Sequence, residues 1–290
     1  MPMKLPYIIG AVCLAAIASG AAGPPAGPGK EVTHRFKMTT AANVDVEYQG
    51  EKHKLTADTE LRYQWTCNAR ERSLTFESIL AKARTNDDEL TEIYMSREKL
   101  ATTKEGKATV VPIATAPEEL KKKLEDSFGV PLCKLEVDGN GKEVKRKVVA
   151  GDGAKALLDK GMIANALLFH PPFRRDVDEW QADTMFSVGD GSYASGKLTY
   201  KKTDGGKAGQ LVKVSGTLTS KDVKTPGLPG GTTQGKFVVR GEQTFDPLHQ
   251  EWVSGKLTID VSMEMTVGGQ AVGSAAGTMV VTFEKIAGNP

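Results

Sequence analysis

Histidine is scarce in this chain, at four in 290 residues: His34, His53, His170 and His249. No two share the short spacing by which one strand or helix offers a metal two ligands, and neither H-x-H nor H-E-x-x-H occurs. No metal site is expected. Cysteine is scarcer, at three, too few for a disulfide-dense scaffold. The sequence also lacks a G-x-S-x-G elbow, a Walker loop and a G-x-G-x-x-G opening a helix, so acyl transfer, nucleotide and dinucleotide chemistry are without their usual marks. No catalytic residue and no cofactor is assigned. An excess of charge of one sign is missing too: 38 basic against 36 acidic residues leave +2. The lysine clusters at 121–123 and 142–147 are interleaved with Glu and read as solvated faces. Neither nucleic acid nor an anionic membrane surface is an expected partner.

Long apolar runs are confined to the start. "MPMKLPYIIGAVCLAAIASGAAGPPAGPGK" has Lys4, an apolar run from Leu5 to Ala18 and then small residues, the three-part form of a secretory signal. The run falls short of the roughly 20 residues of a spanning helix, so the mature chain is expected to have no transmembrane segment. Residues 1–22 are read as the signal peptide, with cleavage after Gly20 or Ala22, and 23–31 as a Pro/Gly-rich linker. Removing 1–22 takes away Lys4 and no acid, so the charge falls from +2 to +1. Cys67 and Cys133 then remain. In an oxidising compartment they could pair, contributing about 4 kcal/mol by loop closure, or stand as two separate buried thiols.

What is present is alternation. "KLTADTELRYQWTC" places Leu55, Ala57, Thr59, Leu61, Tyr63, Trp65 and Cys67 on one face of a strand. "NARERS" reads as a turn, and "SLTFESILAKA" as a strand with Leu74, Phe76 and Leu80 on one face. In "EWVSGKLTIDVSMEMTV", Val253, Gly255, Leu257, Ile259, Val261, Met263, Met265 and Val267 oppose Trp252, Ser254 and the polar set. Such a strand spans about 50 Å. The connections are "TDGGKAG", "DVKTPGLPGGTTQG" and "GGQAVGSAAG", the second read as a mobile surface loop. Between the strand-rich ends, "APEELKKKLEDSFGVP" predicts an amphipathic helix near 117–128, with Pro117, early acids and Leu120, Leu124 and Phe128 on one side. "GDGAKALLDKGMIANALLFHPPF" predicts a second near 153–168 whose wide apolar face needs cover.

Other local patterns carry no chemistry. "DGNGKEV" has Lys142 and Glu143 where a calcium loop needs an oxygen ligand and Gly, so it reads as a hairpin turn. "SREK" (Ser96–Lys99) matches Ser-x-x-Lys without the other two motifs of penicillin-recognising enzymes. "HPPFRRDVDEW" reads as a helix stop, a polar linker and Trp180 on a core face. "SGKLTY" (Ser195–Tyr200), "SGTLTS" (Ser215–Ser220) and "SGKLTI" (Ser254–Ile259) put Gly and Leu on one face, marking where a sheet curves.

Pro172, Val177 and Trp180, "GKLTY" from Gly196 and "TFDPLHQEWVSG" from Thr244 resemble the loose motifs of an uncharacterised family of secreted bacterial β-rich proteins, a domain of unknown function. The resemblance implies no catalytic residue. A more distant likeness, at the level of fold, is to the periplasmic lipoprotein-localisation factors, in which a bent antiparallel sheet wraps apolar helices.

The expectation is therefore a β-dominated α+β protein: long curved antiparallel sheets packed against two amphipathic helices. Residues 32–170 would hold the N-terminal strands and helices and 171–290 the C-terminal sheet, the two forming two domains or one. The expected function is that of an exported, periplasmic, envelope or extracellular binding or carrier protein, non-enzymatic, with lipid or an envelope protein as partner. Tyr63, Trp65, Leu257, Ile259, Val261, Met263 and Met265 are candidate contacts for an apolar ligand, or simply core. The alternative is a structural or interaction protein using exposed faces and the Val223–Gly235 loop. A hydrolase ranks behind both.

Overall fold

The computed structural model describes residues 31–68, 71–86, 90–104, 106–137, 143–149, 151–152, 173–174, 176–189, 192–206, 209–224, 230–248 and 251–286. The signal peptide, most of the linker and the helix expected at 153–168 lie outside the described residues.

Among the described residues, fourteen strands form one antiparallel sheet. Six come first in the chain: β1 (Val32–Tyr48), β2 (Glu51–Cys67), β3 (Glu71–Thr85), β4 (Thr91–Ser96), β5 (Lys99–Lys104) and β6 (Lys107–Pro112). A short 3-10 turn and helix α1 (Glu118–Ser127) follow, then the hairpin β7 (Pro131–Val137) and β8 (Glu143–Val148). The last six are β9 (Glu179–Gly189), β10 (Ser192–Gly206), β11 (Gly209–Lys224), β12 (Gly231–Asp246), β13 (Glu251–Val267) and β14 (Gln270–Ile286). The spatial order is β6-β5-β4-β3-β2-β1-β14-β13-β12-β11-β10-β9, with β7 on β3 and β8 on β7. Two meanders thus meet where the first strand pairs the last, from Arg35↔Ile286 to Tyr48↔Gly273. One sheet runs through both regions divided at residue 170 by the sequence reading.

Alternation builds the two faces. On β1, Phe36, Met38, Ala42, Val44 and Val46 are buried, while Lys37 and Glu47 point the other way. The same holds on β2 for Leu55, Ala57, Leu61, Tyr63, Trp65 and Cys67. We call this buried side the inner face. It is buried along strands about 50 Å long, whereas the ten residues of α1 reach only about 15 Å. Helix α1 therefore covers only part of that face, and open sheets of more than about ten strands commonly curl. The helix expected near 117–128 is α1: Pro117 caps it, Glu118 and Glu119 lie in its first turn, and Leu124 and Phe128 are fully buried.

Two of the bulges shift faces that the sequence alternation had assigned. Tyr63 pairs Phe76 and Arg62 pairs Ser78, leaving Glu77 extra on β3. Beyond it the buried residue is Ile79, not Leu80 as expected. Likewise Phe245 pairs Trp252 and Thr244 pairs Ser254, leaving Val253 extra. Trp252, expected on the outer face, is consequently buried. An extra residue in a ladder changes parity, which a period-two reading cannot register.

The connections are shorter than expected. β11 runs to Lys224 and β12 starts at Gly231, so most of the Val223–Gly235 loop is strand, and residues 225–229 lie outside the described set. "GGQAVGSAAG" contains only a two-residue turn: Gly268 and Gly269 have φ of 56° and 81°, the left-handed pair that lets a hairpin reverse tightly.

The three glycine-leucine hexapeptides lie on β10, β11 and β13. The first two pair each other in reverse, Gly196 with Leu218 and Leu198 with Gly216, so each glycine lies under its partner's leucine. A Cβ on Gly196 would stand 2.4 Å from the Thr217 carbonyl oxygen, and one on Gly255 would stand 2.3 Å from the Phe283 ring. Glycine is there because a neighbouring strand or ring occupies the space of a side chain.

Candidate functional site

The two faces differ sharply in chemistry. The outer face is a lattice of polar pairs: Lys37–Glu284, Arg35–Glu77, Lys82–Glu92 and Lys134–Glu71 at 2.6–2.8 Å, with Thr39 against Thr282 at 2.6 Å. Most of these groups are at least one-fifth exposed and each pair contributes about 0–1 kcal/mol. They keep that face wetted. An open cleft of about 940 Å³ lies toward the far end of β1 and β14, lined mainly by this polar face, with Lys236, Ser262 and Glu264 beside Met263.

The inner face has two ends. One collects aromatic rings. Phe173 stacks on Phe245 at 3.9 Å and meets Trp180 and Trp252 edge-on, while Trp180 stacks on Tyr200 at 5.4 Å. Phe36 stacks on Tyr63 at 5.4 Å. Trp180 is thus on the core face, as the sequence suggested. The other end is lined by smaller apolar side chains: Val44, Val46, Met265 and Ala275.

Within the aromatic end sit buried polar groups. Glu251 is fully buried, ion-paired to Lys285 through one oxygen, with His34 Nδ1 at 3.5 Å from the other. On the opposite flank, Arg72 is 3% exposed. It faces inward because β3 pairs it with Cys67 on one side and Leu135 on the other. Its Nε has no hydrogen-bond partner, and neither have Tyr63 Oη, Trp65 Nε1 and Trp180 Nε1. Burial lowers the Arg72 pKa below the usual guanidinium value, partly opposed by Cys67. The Tyr63 phenol is pushed well above its ordinary value by burial alone. Burying a cation without an anion costs on the order of several kcal/mol.

The seven candidate ligand contacts all lie on the inner face but do not converge. Tyr63 shares a register row with Phe36, whereas Met265 is paired with Gly273, which opposes Tyr48. The twelve positions from Phe36 to Tyr48 separate them by about 40 Å. Tyr63, Trp65, Leu257 and Ile259 are each 0–1% exposed, and Met263 is half-buried between the two apolar clusters. They form a stripe of the core. Cys67 and Cys133 are both buried, and no disulfide joins them. Cys67 on β2 and Cys133 on β7 flank β3, with Cys133 opposite Leu74. Two strand spacings of about 4.8 Å exceed the Cα separation a disulfide spans, so in this structure the two thiols stand apart. Sequence reasoning missed Arg72 and Glu251. Among the described residues no group of three His, Cys, Asp or Glu is placed to hold a metal.

No family model matches the sequence and no curated protein matches it. Among solved structures, the chain is similar to lipovitellin, at 9% identity and a TM-score of 0.49, over 90% of this chain and 25% of that one. It spans about a quarter of lipovitellin's length. It is also similar to OccK5 (OpdH) of Pseudomonas aeruginosa, at 8% identity and TM-score 0.24 over 88% and 98% of the two chains. The β domain of the Bordetella autotransporter BrkA gives 9%, 0.23, 87% and 98%. At TM-scores below 0.5 these likenesses carry no argument about what the chain does. No described helix is long and apolar enough to cross a membrane.

Proposed function

We propose that this chain is an exported, non-enzymatic binding or carrier protein of the bacterial cell envelope, and that its ligand is apolar or amphiphilic and lies against the inner face. The observation that carries the reading is the polarity of the sheet. A membrane-spanning barrel turns apolar side chains outward and polar ones inward. Here the outer face bears the Lys, Arg and Glu lattice, and the apolar side chains face in. A curved sheet of that polarity suits a water-exposed protein with an apolar interior, the arrangement by which a carrier shields an acyl chain.

The test is native mass spectrometry of protein purified from its own envelope, together with titration by cis-parinaric acid, whose fluorescence rises in an apolar site. A co-purifying lipid mass and saturable one-to-one binding are expected. Absence of both sinks the reading. A second reading, a partner-interaction protein, is favoured by the wing β4–β6, where Ile93 and Val110 are 36% and 54% exposed and β6 is a free sheet edge among the described strands. In that case Val110→Asp should abolish recovery of an envelope partner in a pull-down, and undiminished recovery would reject it.

A further inference from the structure

We propose that Arg72 anchors the anionic head of an amphiphile whose chain runs along the inner face, an inference that rests on the carrier reading above. Arg72 is 3% exposed and faces the interior from the second residue of β3, opposite Cys67, the last residue of β2. Its Nε makes no hydrogen bond, and no carboxylate among the described residues pairs with it. Two more groups on the same flank are buried and unbonded: Trp65 Nε1 and Tyr63 Oη, at alternate positions up β2 from Cys67. Indole N–H and guanidinium only donate, and a phenol can donate. Arg72 Nε, Trp65 Nε1 and Tyr63 Oη thus lack an acceptor, and the guanidinium has no carboxylate partner among the described residues.

Water could accept from the indole and the phenol but would leave the guanidinium unneutralised. A carboxylate or a phosphate ester answers both needs, and a fork of N–H donors matches the planar or tetrahedral oxygen set of either. The position favours an amphiphile. Arg72 is the second residue of its strand, and the inner face beyond it continues through Trp65, Tyr63 and Leu61, beside Phe36 and Met38. An apolar chain extending from a head at Arg72 would run along those side chains, which are 0–1% exposed, by displacing what now covers them. The same chemistry would recognise free inorganic phosphate, which has no chain to use it.

Calorimetric titration of the whole chain with sodium dodecanoate, dodecanol and inorganic phosphate separates these cases, with Arg72→Met as the matched variant. Dodecanoate is expected to bind at least about tenfold more tightly than dodecanol, with that preference lost in Arg72→Met. Equal affinity of the unaltered protein for dodecanoate and dodecanol would overturn the Arg72 assignment while leaving the carrier reading standing. Failure of both to bind would remove the assignment and count against the carrier reading. Saturable phosphate binding that needs Arg72, without dodecanol binding, would assign the site to a free anion and refute the amphiphile. The head-group comparison in the unaltered protein decides even if the variant does not fold.

Discussion

Replacing Gly277 by alanine tests the seam on which the whole sheet depends. Gly277 lies mid-strand on β14 and pairs Val44 of β1, where the first and last long strands meet. A Cβ built there would stand 2.1 Å from the Asn43 carbonyl oxygen and 2.6 Å from Val44 Cα. Comfortable contact begins near 3.5 Å, and both obstacles are backbone, so a side-chain rotation cannot relieve them. β1 and β14 must separate by about 1 Å locally. That stretches two or three ladder hydrogen bonds, each worth about 1 kcal/mol net, and adds an overpacking cost of about 1–3 kcal/mol. The expected loss is about 3–6 kcal/mol, or roughly 6–18 °C in melting temperature for a chain of this size. Thermal unfolding followed by far-ultraviolet circular dichroism measures it. The control is Ala276→Val, one residue away on the exposed outer face, expected within about 0.5 kcal/mol of the parent. A neutral Gly277→Ala beside a damaging Ala276→Val would refute the register at the seam and the assignment of faces.

Other consequences are as direct. Unfolding without reductant should leave Cys67 and Cys133 both open to alkylation; a protected pair would show that they are bonded after all. Phe128→Ala should cost about 3–5 kcal/mol in denaturant titration, because its ring is fully buried beneath the end of α1; a loss under 1 kcal/mol would mean that the helix is not docked. Lys285→Met should cost about 3 kcal/mol by leaving Glu251 buried beside His34 alone, and adding Glu251→Leu should recover most of it. Additive losses would show that the two charges are not coupled. Arg72→Met should raise the melting temperature of the ligand-free protein by a few degrees, since it removes a buried charge without an anion and keeps most of the volume. A fall would mean that the guanidinium already has a stabilising partner.

The sequence announced some of this through local chemistry and concealed the rest where structure depends on distant strands. Helix α1 was legible because Pro117, Glu118 and Glu119 start it and Leu120, Leu124 and Phe128 recur at helical spacing. The strands around Leu61 and Ile259 were legible from alternation. The bulges at Glu77 and Val253 were not, because neither residue is a glycine or proline that would flag a break. The β1–β14 pairing joins residues more than two hundred positions apart, and nothing local to Val44 or Gly277 states that they meet. The thiols belong with these: whether Cys67 and Cys133 can bond depends on β3 lying between them, a fact of topology.

The candidate site was hidden by a boundary. "NARERS" has the polarity of a turn, and read as one it leaves Arg72 in solvent with no inward direction to consider. In the structure Asn68 accepts the Glu71 N–H at 2.7 Å through its side chain and donates its own N–H to the Glu71 carbonyl, so the reversal is complete by residue 71. β3 therefore begins two residues before the Ser73 start read from sequence, and parity does the rest: Cys67 faces in, its cross-strand partner must face in with it, and that partner is Arg72. An early strand start thus converts a surface cation into a buried one. A methionine would fill the same volume there without the desolvation cost. That the chain places a guanidinium at that position is what a ligand with a negative head would explain, and the head-group titration asks the protein directly.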